Sequence, residues 1–109
     1  MTVAQFSEVE GMKALTLSDG DREITGCYIG DLLSWVMGRA QSGCAWITIM
    51  SNINICAVAA LTDAACIILA QGVTLDENVL NVAKTKGINV LTTALPAYEA
   101  ALLLAENIR

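Results

Sequence analysis

The sequence predicts an α/β domain with a small, mostly parallel sheet that is covered by helices on both faces. The apolar runs Ala45–Met50, Ala65–Ala70 and Ile88–Leu91 each end in small polar residues, and a helical pattern follows each of them. Apolar strands that alternate with helices are typical of a parallel sheet buried on both sides. In such sheets ligands usually bind at the carboxyl ends of the strands, beside helix N-termini.

The length and composition predict a single domain over residues 1–109 that has more apolar surface than one copy can cover. Apolar residues make up 55% of the chain and charged residues 16%, whereas a typical soluble domain carries about 25% charge. Burial of the sheet on both faces explains part of this shortfall, and a second subunit would explain the rest. We therefore expect a homodimer.

The first third of the chain predicts short elements joined by tight turns. A short helix over Thr2–Val9 stops at Gly11, and Met12–Leu17 alternates weakly, as a strand does. Ser18–Asp21 has the composition of a turn. The glycines and β-branched residues of Arg22–Gly30 favour a short strand between loops.

A helix is predicted after this strand, and Asp31 is expected to cap its N-terminus. Its apolar residues recur at helical spacing, and Trp35 lies beside them rather than among them. Trp35 is therefore either a residue at the rim of the core or an anchor of an interface. The apolar positions are Leu32, Leu33, Val36, Met37 and Ala40.

Three further helices are predicted in the second half. The helix over Ile53–Leu61 is apolar on nearly every side, which is typical of full burial. Thr74–Glu77 matches a capping box, and Gly87 suits the C-terminal end of the helix that follows. Pro96 suits the first turn of the last helix. That helix is again apolar all round over Ala100–Ala105, so both apolar helices favour packing against a second copy.

The charge pattern argues against nucleic-acid and membrane binding. The net charge is −5 and the six basic residues form no run, whereas nucleic-acid binding needs a basic face. The most apolar stretch, between residues 47 and 70, is interrupted by polar residues that include Asp63, so it does not predict a transmembrane helix. The first residues lack the pattern of a signal peptide. We expect a cytoplasmic protein.

The cysteines and the missing histidine limit the chemistry further. The four cysteines are too widely spaced for zinc or thioredoxin-type sites, and a chain without histidine lacks His-ligated metals and His general bases. We expect no metal, no cofactor and no catalytic residues. Cys56 and Cys66 are predicted to be small core residues. Cys27 follows a glycine and is predicted to be partly exposed, so a reactive thiol there is an open alternative.

Several segments together resemble the DRTGG domain. They begin with Asp21–Gly26, Tyr28–Ser34 and Ala45–Ile49 and continue to Gly87–Leu91, so that the resemblance covers nearly the whole chain. The chain departs from the pattern at Cys27, where members commonly have a second glycine. The resemblance implies an α/β domain related to the N-terminal domain of HPr kinase/phosphorylase.

The same resemblance implies a function. Such domains occur alone or fused to enzymes, including nucleotide-regulated pyrophosphatases with CBS domains. It implies a regulatory or dimerising module, with no catalytic residues to carry over, that acts on itself or on a partner enzyme. Members that stand alone are often encoded near redox and hydrogenase genes of anaerobes, which implies that metabolic setting. No phosphate loop is present, so kinase activity is not expected.

Three groups of polar residues are the candidate ligand-binding site. A helix start with unpaired N–H groups beside an arginine would hold a nucleotide or a phosphorylated acid. The simpler alternative is that these residues cap helices and end strands. In that case Arg22 pairs with Asp21, Glu23 or Asp31 at a loop or subunit boundary. The first group is Asp21, Arg22 and Thr25, the second is Ser51, Asn52 and Asn54, and the third is Thr92 and Thr93.

Overall fold

The computed structural model describes residues 1–108, and its centre is a five-stranded sheet of order β1-β5-β4-β3-β2. The strands β2 to β5 are parallel to one another, while β1 pairs with β5 in the antiparallel direction. The prediction of a mostly parallel sheet is therefore confirmed, with one antiparallel strand at an edge. The strands are β1 (Lys13–Thr16), β2 (Gly26–Ile29), β3 (Cys44–Thr48), β4 (Cys66–Leu69) and β5 (Val90–Thr92).

Helices cover both faces of this sheet, as predicted. Helices α2, α3 and α4 contribute Val36, Ile55 and Val79 to an apolar cluster that includes Trp46. Helices α1 and α5 pack against the other face in a second cluster, which includes Ile47. The helices are α1 (Val3–Ser7), α2 (Leu33–Arg39), α3 (Asn54–Thr62), α4 (Glu77–Lys86) and α5 (Ala97–Ile108).

The two faces alternate along each strand, as the pleat of a strand requires. In β3, Trp46 belongs to the cluster under α2, α3 and α4, while its neighbours Ala45 and Ile47 belong to the cluster under α1 and α5. The central strands β3 and β4 are buried at every position. Continuous apolar runs are therefore the sequence signature of strands that are covered on both sides.

The structure does not place the predicted capping residues at the N-termini of α2 and α4. Helix α2 begins after Leu32 with no side-chain cap, because the Asp31 carboxylate instead accepts hydrogen bonds from Thr48 Oγ1 at 2.7 Å and Ile49 N at 3.0 Å. Helix α4 is capped by Asp76, whose carboxylate accepts from the Val79 N–H at 2.9 Å. The predicted Thr74 box is thus displaced by two residues. At the other end, Gly87 ends α4 in the left-handed conformation, as predicted.

The two helices that are apolar all round are not fully buried within one copy. Helix α3 buries Ile55, Cys56, Val58 and Ala59, but Leu61 at its end is 72% exposed. In α5, Tyr98 and Leu102 are 69% and 44% exposed. Uniform apolarity therefore does not reflect burial inside this domain.

Candidate functional site

The path of the chain opens one crevice at the carboxyl edge of the sheet. The connection after β4 leads to α4 on one face, whereas the connection after β5 leads to α5 on the opposite face. Helices α2, α3 and α4 all follow their strands onto the same face, so among the parallel strands of residues 1–108 the connections diverge only here. Ligands of open α/β sheets bind where neighbouring connections diverge in this way.

This switch crevice, defined by the loops before β1 and after β4 and β5, has a cavity of about 330 Å³. Its cation is Lys13, at the start of β1, whose ammonium has no carboxylate within 4.0 Å among residues 1–108. Three threonines and several main-chain groups also line the cavity, whose accessible lining is more apolar than polar. The lining residues are Gly11, Met12, Lys13, Gly72, Thr74, Thr92, Thr93 and Ala94.

The backbone of the crevice has an uncommon conformation after β4. Gln71 and Gly72 are successive residues with positive φ, of 57° and 75°, and a glutamine is rarely found in this region. Two hydrogen bonds hold the segment in place, from Gln71 N to Leu95 O at 2.9 Å and from Gly72 N to Thr93 O at 2.8 Å. The loops after β4 and β5 are therefore joined by main-chain hydrogen bonds.

Two of the predicted site residues, Thr92 and Thr93, lie in this crevice. Both are buried. Thr92 Oγ1 donates to Val73 O at 2.6 Å, and Thr93 Oγ1 accepts from Leu95 N at 3.2 Å. The hydroxyls therefore tie the two diverging loops to the strand ends, which agrees with the simpler alternative. The Thr92 oxygen keeps acceptor capacity for a ligand donor.

The second predicted group lies at the same edge but beside a different strand. Ser51, Asn52 and Asn54 follow β3 and are exposed. Strand β4 lies between β3 and β5, which ends at Thr92. Asn52 Oδ1 accepts from the Asn54 N–H at 2.9 Å, a local turn at the start of α3 that matches the simpler interpretation.

The first predicted group lies at the opposite edge of the sheet, so the structure does not bring the three groups together. Asp21, Arg22 and Thr25 precede β2, at the amino end of the parallel strands. A strand as long as β3 spans roughly 16 Å, which separates this group from the other two. The sequence places all three groups beside strand ends, but only the strand directions decide which end.

Arg22 is held in an ion pair with Asp63, and both residues line a cavity of about 270 Å³. Its guanidinium donates to both carboxylate oxygens of Asp63 at 2.9 Å and to the Asp63 carbonyl at 3.1 Å. The Ser42 hydroxyl donates to the same carboxylate. These bonds lower the pKa of Asp63 from 3.8 to about 2, with the Arg22 hydrogen bond as the largest cause, and the same bond raises the pKa of Arg22.

This pair fastens the turn between α3 and β4 to the chain before β2. Asp63 has a left-handed φ of 56°, which aspartate tolerates better than most residues, and its carbonyl accepts from Gly43 N at 2.9 Å. Thr25 adds a hydrogen bond from its N–H to Gly43 O at 2.9 Å. Arg22 therefore forms a loop ion pair, but the predicted partners Asp21, Glu23 and Asp31 are wrong, because Asp63 at the end of α3 holds the guanidinium.

Asn89 is a buried polar residue that the sequence analysis missed. Its side chain accepts from Asp19 N at 2.8 Å and donates to Asp19 O at 2.7 Å and to Ala65 O at 2.9 Å. It thereby fixes the loop after β1 to the start of β4. An asparagine inside an apolar run, between Ile88 and Val90, is the signal that could have revealed it.

The cysteines divide as predicted. Cys56 and Cys66 are buried, and Cys27 is exposed on β2. Although the Cys27 residue is exposed, desolvation of its sulfur raises the pKa of the thiol to about 11, and the neighbouring Cys44 thiol adds to this shift. Since the thiolate is the reactive form, Cys27 is a weak nucleophile near neutral pH.

Among residues 1–108 the structure shows neither a metal-binding cluster nor a membrane-spanning helix. Among residues 1–108, no three His, Cys, Asp or Glu side chains are grouped so that they could hold a metal ion. No helix within these residues has both the length and the apolarity to cross a bilayer.

Residues 7–107 match the DRTGG domain, and the chain therefore belongs to the DRTGG domain family. No curated protein matches the chain in sequence. Among solved structures it is similar to the CBS and DRTGG domains of the regulatory region of Clostridium perfringens pyrophosphatase, which was crystallised with its activator diadenosine tetraphosphate.

That similarity has a TM-score of 0.73 at 15% sequence identity and covers 94% of this chain. The chain spans 45% of the length of the pyrophosphatase structure. Identity this low shows a shared fold, and the crevice and edge residues of this chain have to be interpreted on their own chemistry.

Proposed function

We propose that this chain is a non-catalytic regulatory or interaction module that acts as a homodimer. The observation that carries the proposal is a concentration of exposed apolar side chains in one stretch of the chain, from the end of β2 to the start of α3. Six of the ten large exposed hydrophobic residues lie between residues 29 and 53, and exposed apolar patches of this kind mark interaction sites. The six are Ile29, Leu32, Trp35, Met37, Ile49 and Ile53.

Two further observations support a regulatory role. The family is one of regulatory domains, and the similar pyrophosphatase region is a regulatory region by its description. Among residues 1–108, the ionisable side chains with clearly shifted pKa values are those of the Arg22–Asp63 pair and of the cysteines. An ion pair between loops and desolvated thiols do not form an acid–base constellation.

The partner enzyme, the cytoplasmic location and a setting in redox or hydrogenase-linked metabolism of an anaerobe belong to the same proposal. The partner enzyme and the metabolic setting rest on the family resemblance, and the cytoplasmic location rests on the composition of the sequence. They are tested by recovery of a partner enzyme with the tagged chain from an anaerobic host.

Native mass spectrometry of freshly purified protein tests the homodimer at micromolar concentration. We expect a species of twice the chain mass of 11.5 kDa. A species of single mass at all concentrations up to tens of micromolar would refute the homodimer.

A second candidate function is a sensor of a small anionic ligand, such as a nucleotide or a phosphorylated acid, and the switch crevice is the observation that favours it. Lys13 supplies a cation there without a carboxylate partner, and main-chain hydrogen bonds join the surrounding loops. A ligand that binds only the folded state raises the melting temperature.

The matched variants Lys13→Ala and Lys84→Ala test this sensor. Lys84 is an exposed lysine in the last turn of α4, at the other end of that helix from the crevice. We expect a panel of nucleotides and phosphorylated acids to raise the melting temperature of the wild type and of Lys84→Ala but not of Lys13→Ala. Equal shifts in both variants would place the ligand elsewhere, and a panel without any shift would refute the sensor.

A further inference from the structure

The two edge strands of the sheet differ in how they are protected against pairing with another strand. On β1, the register shifts between Ala14 and Thr16, and Lys13 is exposed beside the irregularity. A bulge and a charged side chain are the devices by which proteins keep an edge strand from pairing.

Strand β2 has neither device. Gly26–Ile29 pairs with β3 in regular register and contains no charged residue and no proline. Backbone N–H and C=O groups of a strand point alternately to its two sides, and within residues 1–108 no strand pairs with the outer side of β2. An uncharged edge strand with unpaired main-chain groups is a template for a further strand.

Exposed apolar side chains flank this edge on both faces of the sheet, and one charged residue lies among them. Arg39 stacks over Trp35 at 4.0 Å and lines a cavity beside β2. Cys27 and Ile29 point to the face of α1 and α5, because their register partners Ala45 and Ile47 belong to that cluster. Both are exposed, with Ile29 at 48%, so α1 and α5 leave this strip uncovered. On the other face lies α2, where Trp35 is 54% exposed.

We propose that β2 pairs in the antiparallel direction with β2 of a second copy, so that two five-stranded sheets join into one of ten strands across a two-fold axis. This inference rests on the proposed homodimer and names its surface. A two-fold axis perpendicular to the sheet brings β2 against itself in the antiparallel direction, so one strand supplies both sides of the interface. The main-chain groups then pair as in strand addition.

A second copy fits this edge better than a charged partner does. Each copy has a net charge of −5, but β2 itself contributes no charge, so like charges do not meet directly across the strands. A half-exposed large side chain presents on the order of 100 Å². Ile29, Leu32, Trp35 and Met37, which lie on β2, on α2 or between them, give on the order of 400 Å² per copy, about half of the roughly 800 Å² per partner of a standard interface. The main chain of β2 and its other flanking side chains add to this area.

Ile29→Lys and Leu61→Lys test the surface as matched variants. Both replace an exposed apolar residue with lysine, but Ile29 lies on β2 and Leu61 lies at the end of α3. By sedimentation equilibrium, we expect Ile29→Lys to raise the dimer dissociation constant at least tenfold and Leu61→Lys to change it by less than about twofold. Circular dichroism confirms that each variant is folded.

Cross-linking of the wild-type protein tests the surface in a way that does not depend on whether a variant folds. Cys27 is the exposed one of the four cysteines, and antiparallel β2 pairing brings the two copies of Cys27 within about 8 Å of each other. Because the raised pKa of Cys27 slows alkylation, the reaction is run in mildly alkaline buffer until a mono-maleimide has labelled Cys27 completely in a parallel sample. Under these conditions a short bis-maleimide should form a covalent dimer, and Cys27→Ser should form none. Amide hydrogen exchange should show that β2 is protected in the dimer.

The outcomes separate the surface from the proposed function. A wild-type dimer that Ile29→Lys leaves intact and that Cys27 does not cross-link overturns β2 pairing, while the homodimer stands. A wild type that is monomeric at these concentrations overturns both. A dimer that Leu61→Lys dissociates as strongly as Ile29→Lys also overturns the assignment to β2.

Discussion

Removal of the Asn89 side chain should destabilise the fold far more than a typical polar substitution. Asn89 is 2% exposed and makes three hydrogen bonds of 2.7 to 2.9 Å that join the loop after β1, the start of β4 and β5. In Asn89→Ala the Asp19 groups can bind water, because that residue is exposed, but the Ala65 carbonyl is left without a partner in the interior.

The magnitude follows from these three bonds. A net contribution of about 1 kcal/mol for each of the two bonds to Asp19, with about 1–2 kcal/mol for the buried Ala65 carbonyl, gives a loss of roughly 3 kcal/mol. This is a large part of the roughly 5–15 kcal/mol that stabilises a domain, yet it leaves the protein folded.

Urea unfolding followed by circular dichroism measures the loss, and Asn81→Ala is the matched control. Asn81 is exposed on α4, so the same substitution there should change the free energy of unfolding by less than about 0.5 kcal/mol. A loss below about 1 kcal/mol for Asn89→Ala would show that the three bonds do not fix the loop and would refute the reasoning.

Three further predictions concern acid stability, thiol reactivity and backbone strain. The pKa of Asp63 falls from 3.8 to about 2 in the folded state. The stabilisation from its pair with Arg22 is therefore complete above pH of about 4 and is lost as the pH falls towards 2. Asp63→Asn should flatten the dependence of the unfolding free energy on pH in this range. The thiol of Cys27, with its pKa of about 11, should be alkylated slowly at neutral pH, at a rate that rises with pH until about 11, as intact-mass measurements would show. Gly43→Ala should cost roughly 1–3 kcal/mol of unfolding free energy, because φ is +83° there and the new Cβ would meet Thr25 Oγ1.

Each of these predictions has a control. High salt should weaken the effect of Asp63 on acid stability, because the pair is exposed, and an unchanged pH slope in Asp63→Asn would contradict the assignment. A rate of alkylation that is already maximal at pH 7 would contradict the raised pKa of Cys27. Gly38→Ala, in α2 with nothing within 4 Å of the new Cβ, should stabilise the protein by up to about 1 kcal/mol. Loss of stability in this control would remove strain as the explanation at Gly43.

Local features of the fold follow from the sequence alone. Apolar runs such as Ala65–Ala70 predict strands buried on both faces, because each side chain of a covered strand must be apolar. Gly87 ends α4 because glycine adopts the left-handed conformation without steric cost. Cys56 and Cys66 are buried because they fall within apolar segments. These signals lie within a few residues of one another, so no knowledge of the tertiary structure is needed.

The tertiary structure alone decided the long-range polar contacts. Asp31 was predicted to cap its own helix, but its carboxylate bonds to the end of β3, and Arg22 pairs with Asp63 across 41 positions. Both contacts depend on which strands are neighbours in the sheet. The apolar runs of the sequence do not specify that order, because they are too similar to define particular strand pairs.

The sequence by itself therefore determined which segments are buried strands and helices, since burial leaves an apolar pattern in the chain. The tertiary structure decided which edge of the sheet each polar residue occupies and that β2 is an edge strand at all. It also decided that the helices that follow β4 and β5 lie on opposite faces of the sheet. The physical reason is that strand direction and order are set by packing of helices onto both faces, a property of the whole domain and not of any one segment.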